Sequence, residues 1–311
     1  MYKHRVILST DIGSDVDDAL ALWYCIKHPQ IKLEAVVTVY GKVNLRAKIA
    51  QRMLDLAGYD AKVAPGFSYT RTKGKEIWHT GVEGYGILSK EEIEKSEKDA
   101  TDIAVGVGIL YKEILENPKE IDLISIGPLT NIAAHVHTKV IENIKHLYLM
   151  GGAIKYPHEL NENNLYEHHP LPEPEHNIRC DPDAARDVFD SSLPITLVPL
   201  DITRKVLLDE ADINLMRARN TELSNAVVSM LDYWLDYRSQ QERKKITSTA
   251  LNDPLAVGVM LNPDIVKMKK AKIKVDTEGR TLVESKEGNV NVCYDVNVQA
   301  FKEDFLSKVL R

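Results

Sequence analysis

Thr10-Asp11-Ile12-Gly13-Ser14-Asp15-Val16-Asp17-Asp18 joins a β-branched run, Arg5–Ser9, to a helical pattern over Asp18–Lys27. Four carboxylates, Asp11, Asp15, Asp17 and Asp18, fall within eight residues of chain. A loop of this kind sits at the carboxyl end of a strand, which is where parallel α/β sheets bind their ligands. Like charges packed so closely raise each other's pKa values unless something neutralises them. One Asp here could simply cap the helix that follows. Four call for a cation. With oxygen donors and no Cys or His in the loop, Ca²⁺ or Mg²⁺ is favoured over zinc. The loop lacks the length and closing Glu of an EF-hand, and it is not a Gly-rich Lys-Ser/Thr phosphate loop.

Outward from this loop, strand and helix patterns alternate. Lys32–Val39, Ile121–Ile126, His146–Met150 and Ile195–Pro199 read as buried strands. Asn44–Ala57, Leu129–His137 and Asp183–Asp190 read as helices, and Asp209–Lys245 as a long helical stretch. Near the end, Lys272–Thr277, Thr281–Glu284 and Asn289–Val296 form an antiparallel excursion, with Glu278-Gly279 as a turn, before a last helix to Leu310. The expected fold is α/β: a mostly parallel central sheet flanked by helices, with a small antiparallel excursion near the C-terminus. Without repeats or a Gly/Ser linker, residues 1–311 read as a single domain. Gly66–Tyr85 and Gly152–His176 resist regular assignment, and long loops in a domain of this kind usually carry function.

Composition narrows the function classes. Hydrophobic residues make up 44% and charged residues 28% of 311, which suits a globular core. A net charge of -6 argues against nonspecific binding to nucleic acid or to an anionic membrane. No apolar run approaches the ~20 residues that span a bilayer. Cys25, Cys180 and Cys293 are unpatterned, so neither a disulfide framework nor a Cys zinc site is expected. The start carries no apolar signal core, and a cytoplasmic setting is the expectation.

The acidic loop resembles the N-terminal signature of the nucleoside hydrolases, and further segments match that family in order. Ile126-Gly-Pro-Leu-Thr-Asn is similar to its metal-binding turn, and Leu149-Met-Gly-Gly to the strand end lining its ribose pocket. Glu175-His-Asn, Asp181-Pro-Asp-Ala-Ala, Pro199-Leu-Asp-Ile-Thr and Leu251-Asn-Asp-Pro follow. Each motif alone is weak, but their order along the chain is specific. The resemblance implies cleavage of a ribonucleoside to ribose and free base, with Ca²⁺ as cofactor. It implies that Asp11 ligates the metal and acts as base for the attacking water. Asp18 would ligate through both oxygens, Thr130 through its carbonyl and Asp253 through one oxygen. Asp17, Glu175 and Asn177 would hold the ribose, with Met150 beneath it. The transition state resembles an oxocarbenium ion, so carboxylates around the sugar suit the chemistry, and a bound metal lowers the pKa of the attacking water. A homodimer or homotetramer is the expectation by analogy alone.

Several residues depart from the family pattern. The acidic loop is two residues longer, through Ser14-Asp15, which leaves Asp15 without an assigned role: it would either accept hydrogen bonds behind the metal ligands or face solvent. Lys42 stands near a place where the family often has Asn. Asn252 stands where known members carry a His that protonates the leaving base. Asn cannot be a general acid, so either another group protonates the base, His79 and His176 being candidates, or the substrate has a better leaving group, or ordinary nucleosides turn over slowly. Tyr233, Trp234 and Tyr237 fit either a core or a cage around the base. Two other functions compete: a nucleoside-binding sensor that keeps the grip but not the chemistry, and a phosphohydrolase with Asp11 as nucleophile. The second lacks the expected Asp-x-Asp-x-Thr arrangement.

Overall fold

The computed structural model describes residues 2–98, 104–154 and 171–311. Its strands are β1 (His4–Thr10), β2 (Ile31–Thr38), β3 (Lys62–Pro65), β4 (Ile121–Ser125) and β5 (His146–Met150). They continue with β6 (Ile195–Val198), β7 (Leu207–Leu208), β8 (Thr249–Ala250), β9 (Val266–Val275) and β10 (Thr281–Val296). The helices begin with α1 (Asp17–Lys27), α2 (Val43–Ala57), α3 (Lys90–Lys98) and α4 (Ala104–Glu116). Next come α5 (Thr130–Ala133), α6 (His176–Cys180), α7 (Pro182–Phe189) and α8 (Leu200–Thr203). The last four are α9 (Glu210–Ala218), α10 (Glu222–Glu242), α11 (Asn252–Leu261) and α12 (Val298–Val309).

Eight strands form one sheet in the order β3-β2-β1-β4-β5-β6-β10-β9, parallel except for the β9–β10 pair. Alternate residues of β1 face opposite layers: Val6 and Leu8 pack with α1, α2 and α11, whereas Ile7 packs with α4 and α7. A sheet buried on both faces explains the almost unbroken apolar runs of its strands. The chain runs outward from β1 to β3, then crosses back and starts again at β4, beside β1. Such a reversal opens a crevice beyond the carboxyl ends of the two central strands. The acidic loop follows β1 and Ile126 follows β4, so both stand at that crevice.

Three expectations change in detail. The antiparallel excursion is joined to the main sheet, because Val290–Val292 of β10 also pairs parallel with Ile195–Leu197 of β6. The long helical stretch is two helices: Asn220 takes a positive φ of 49°, and Thr221 and Ser224 form a capping box that starts α10. The helix expected over Leu129–His137 is regular only through α5, after which His135 and Val136 bond three residues back rather than four. Gly66–Tyr85 is irregular as expected, and most of Gly152–His176 lies outside the described residues.

Candidate active site

A cavity of about 260 Å³ opens at the crevice. Its floor is acidic: Asp15, Asp17, Asp18 and Asp253 each bring one carboxylate oxygen within 4.8 Å of the others. Two stretches remote in sequence meet here, the acidic loop with the first turn of α1 and the first turn of α11. Asp11 borders the same cavity but is not one of those four. Its neighbour is Gly127, where a Cβ would stand 2.7 Å from Asp11 Oδ1, so only glycine lets the β4 turn approach this closely.

The electrostatics suit a cation. Burial, then the charges of Asp11 and Asp15, raises Asp18 well above the ordinary carboxylate value. Asp253 is raised for the same reason, burial first and then Asp18, Asp15 and Asp11. Burial and Asp11 push Asp15 up to about 7. Oxygen donors of this kind fit a hard divalent cation, and its charge would remove the repulsion that these shifts express. The Thr10 hydroxyl already donates to Asp18 Oδ1, so ligation through both Asp18 oxygens would ask that atom to serve two partners.

The other expected residues separate into those at the cavity and those away from it. Met150, Glu175, Asn177, Asn252 and Asp17 line it. Glu175 is the N-cap of α6: it accepts from the amides of Asn177 at 2.9 Å, Ile178 at 3.2 Å and Gly152 at 2.8 Å. Its carboxylate thus fixes the two backbone segments that carry Met150 and Asn177. Asn177 Nδ2 donates to the carbonyls of Ile126 at 3.1 Å and Met150 at 3.2 Å, which leaves its carbonyl oxygen to offer the cavity. Asn252 is held at both ends, accepting from Thr203 Oγ1 and donating to Asp17 Oδ2, each at 2.8 Å.

Thr130 and His79 do not line the cavity. The Thr130 hydroxyl donates to Asp181 at 2.7 Å, and its carbonyl accepts from the Ala134 amide at 3.3 Å. His79 lies against Gly41, with Nδ1 3.7 Å from Glu83 Oε1. The aromatics of α10 also stay out. Trp234 is buried, stacks on Tyr237 and donates to Thr249, while Tyr233 lies half-exposed against Tyr85.

His176 is at the cavity, with Nε2 3.7 Å from Asp11 Oδ2 and its ring edge-on to Tyr40 and Trp78. Burial alone would lower this imidazole, but Asp11 and Cys180 beside it hold it well above its usual value. Trp78, Leu200, Arg204 and Glu173 complete the walls, and no sequence motif had marked the last two.

Asp181 is another residue whose role the motifs did not reveal. Fully buried, it accepts from the amides of Arg71, Thr72 and Ala184 and from the hydroxyls of Thr72 and Thr130. It ties the irregular loop at 66–85 to the turn that follows β4. Asp181→Ala leaves those donors buried without an acceptor and is expected to cost ~2–3 kcal/mol. A urea titration reads this as a lower midpoint at unchanged slope.

With that geometry described, comparison with known proteins is informative. The family model for inosine-uridine preferring nucleoside hydrolases matches residues 6–303. The chain belongs to that family. Its chemistry is accordingly N-glycosyl hydrolysis, the splitting of a ribonucleoside into ribose and base. The inosine-uridine preferring nucleoside hydrolase of Crithidia fasciculata is 27% identical, over 89% of this chain and 84% of that one. The pyrimidine-specific ribonucleoside hydrolase RihA of Salmonella typhimurium is 25% identical, over 95% of each. Among solved structures, the purine-preferring ribonucleoside hydrolase from Gardnerella vaginalis superposes with a TM-score of 0.80 at 27% identity, covering 98% of each chain. No described helix is long and apolar enough to cross a membrane.

Proposed function

We propose that this nucleoside hydrolase uses Ca²⁺ and takes Asp11 as the base toward the attacking water. The observation that carries this reading is the meeting of Asp15, Asp17, Asp18 and Asp253 within 4.8 Å, with Asp11 lining the same cavity. Asp11, Asp18 and Asp253 are the expected protein ligands. Thr130 is the fourth expected ligand, although it stands outside the cavity lining and its carbonyl already accepts from the Ala134 amide. When bound, the ion would grip the ribose hydroxyls and lower the pKa of the attacking water.

The protein's own groups do the rest. Asp11 takes the proton from water, Asp17 and Asn177 orient the sugar hydroxyls, and Met150 supports the ring face. The surrounding carboxylates favour the positive charge that develops on the sugar. The three named relatives differ in base preference, so base specificity does not carry over from them. A panel of ribonucleosides assayed for reducing-sugar release, with and without a chelator, tests the reading. Bound nucleoside retained without turnover would favour a sensor instead.

The leaving base needs a proton, and Asn252 cannot give one. His176 is the candidate histidine that reaches the cavity, and we assign it this step. His176→Ala should lower cleavage of inosine or uridine by ~10²-fold while sparing a nitrophenyl riboside, whose leaving group needs no acid. His79→Ala should change neither rate. Equal loss on both substrates in the His176 variant would remove it from the role. In one direction, Asn252→His would also lose the bonds that hold Asp17 and Thr203, so any gain depends on the ring reaching the base.

A further inference from the structure

We propose that Arg46 is a positioning residue that holds the acidic loop in its cation-ready shape; the idea rests on the cation reading above. Arg46 is wholly buried on α2. Its Nε donates to the Tyr40 carbonyl at 2.7 Å, Nη1 to the carbonyls of Asp11 and of Ile12 (3.0 Å for the latter), and Nη2 to Ser14 Oγ at 2.9 Å. One planar fork thereby grips three residues of the acidic loop and one of the loop after β2.

The surroundings show why that grip matters. Gly13, between the gripped residues, takes a φ of +110°, and a Cβ there would meet Ile49 Cδ1 at 2.7 Å, about one turn along α2 from Arg46. Arg46 and Ile49 together form the bed on which the loop lies. Tyr40 is a non-glycine residue at φ +67°, strained in itself, with its carbonyl bonded to Arg46. The Tyr40 hydroxyl in turn accepts from the Trp78 amide at 2.8 Å, and its ring meets His176. Both the acidic floor and the aromatic wall of the cavity therefore lead back to one guanidinium.

Charge gives Arg46 a second effect. A buried guanidinium is costly unless its donors and its charge are both answered. Four oxygens answer four of its five N–H donors. The charge acts on the carboxylates of Asp15, Asp18 and Glu83. The bonds of Arg46 go to main-chain carbonyls and a hydroxyl rather than to carboxylate oxygens, so they hold the loop whether or not a cation is bound. Ser14 belongs to the two-residue extension Ser14-Asp15, so Arg46 is also what anchors that extension.

The test uses metal-free full-length protein, with Ca²⁺ alone as titrant in calorimetry and amide hydrogen exchange as an independent readout. Arg46→Met should weaken Ca²⁺ binding by ~10–100-fold, as loss of partners around metal ligands does. It should also speed exchange at residues 11–16 while leaving β1 and β4 protected. Arg46→Lys, which restores charge but not the fork, should recover binding only in part. Ser14→Ala removes the Nη2 contact and should weaken binding about threefold. A folded Arg46→Met with unchanged affinity and loop exchange would overturn the proposal. If that variant does not fold, unchanged values in both Arg46→Lys and Ser14→Ala would overturn it. A parent protein that takes up no Ca²⁺ would sink the cation reading, and loop exchange would still decide the role of Arg46.

Discussion

Asp11→Asn is expected to lower turnover by at least ~10²–10⁴-fold, the range for losing a general base, while the fold stays intact. The amide keeps the shape of the carboxylate, and shape matters where Gly127 approaches so closely. The main chain at Asp11 is held through its carbonyl by Arg46, so the loop does not depend on the carboxylate for its course. What is lost is the proton acceptor and one negative charge. Removing that charge should also relieve Asp15, Asp18 and Asp253, each of which Asp11 raises. The variant should therefore melt close to its parent in the absence of metal, the relief of three carboxyls offsetting the lost partner of His176. Steady-state kinetics at saturating Ca²⁺, with a thermal melt alongside, check both parts. Near-parental kcat would show that Asp11 is not the base.

Stability should depend on pH and on the cation together. In the metal-free protein, Asp15, Asp18 and Asp253 have folded pKa values raised above the ordinary Asp value of ~3.9. Carboxyls shifted upward are well accommodated while protonated, and that contribution is lost as pH rises through the folded values. For Asp15 that value is about 7. The metal-free protein should therefore weaken toward and above neutral pH. Cation binding needs ionised ligands, so it runs the opposite way. Excess Ca²⁺ should stabilise little near pH ~5, and by about 2.7 kcal/mol near pH ~8 at a hundred times its dissociation constant. Scanning calorimetry of metal-stripped protein at both pH values reads this difference. An equal gain at the two would contradict the cation site.

The parallel sheet was legible because its strands are short, β-branched and spaced by helical patterns, and the acidic loop marked the carboxyl end of the first. The double pairing of β10 was not. A strand with one antiparallel and one parallel neighbour has the same alternation as one in a hairpin, so Asn289–Val296 carried no sign of β6. The break before α10 was readable in retrospect, since Thr221 and Ser224 form the box that caps it. Periodicity on either side masked it.

Within the site, motif order pointed to Met150, Glu175, Asn177, Asn252 and Asp253, all of which reach the cavity. It said nothing of Asp15, because an inserted residue has no counterpart to copy; its place on the floor follows from how the longer loop folds over α2. His79 and His176 looked equivalent as sequence, and only His176 lines the cavity. Arg46 left a signal that went unused. It falls on the stripe Arg46, Ile49, Ala50, Met53 of α2, where an otherwise apolar face carries one full charge. A lone Arg at such a position asks for buried acceptors nearby.

The most direct measurement is a crystal of the metal-stripped protein soaked with Ca²⁺ and ribose. An ion should stand about 2.3–2.6 Å from oxygens of Asp11, Asp18 and Asp253, with two ribose hydroxyls on it and Asn177 beside the sugar. An ion bound elsewhere, or ribose seated away from the Asp11 wall, would contradict the account.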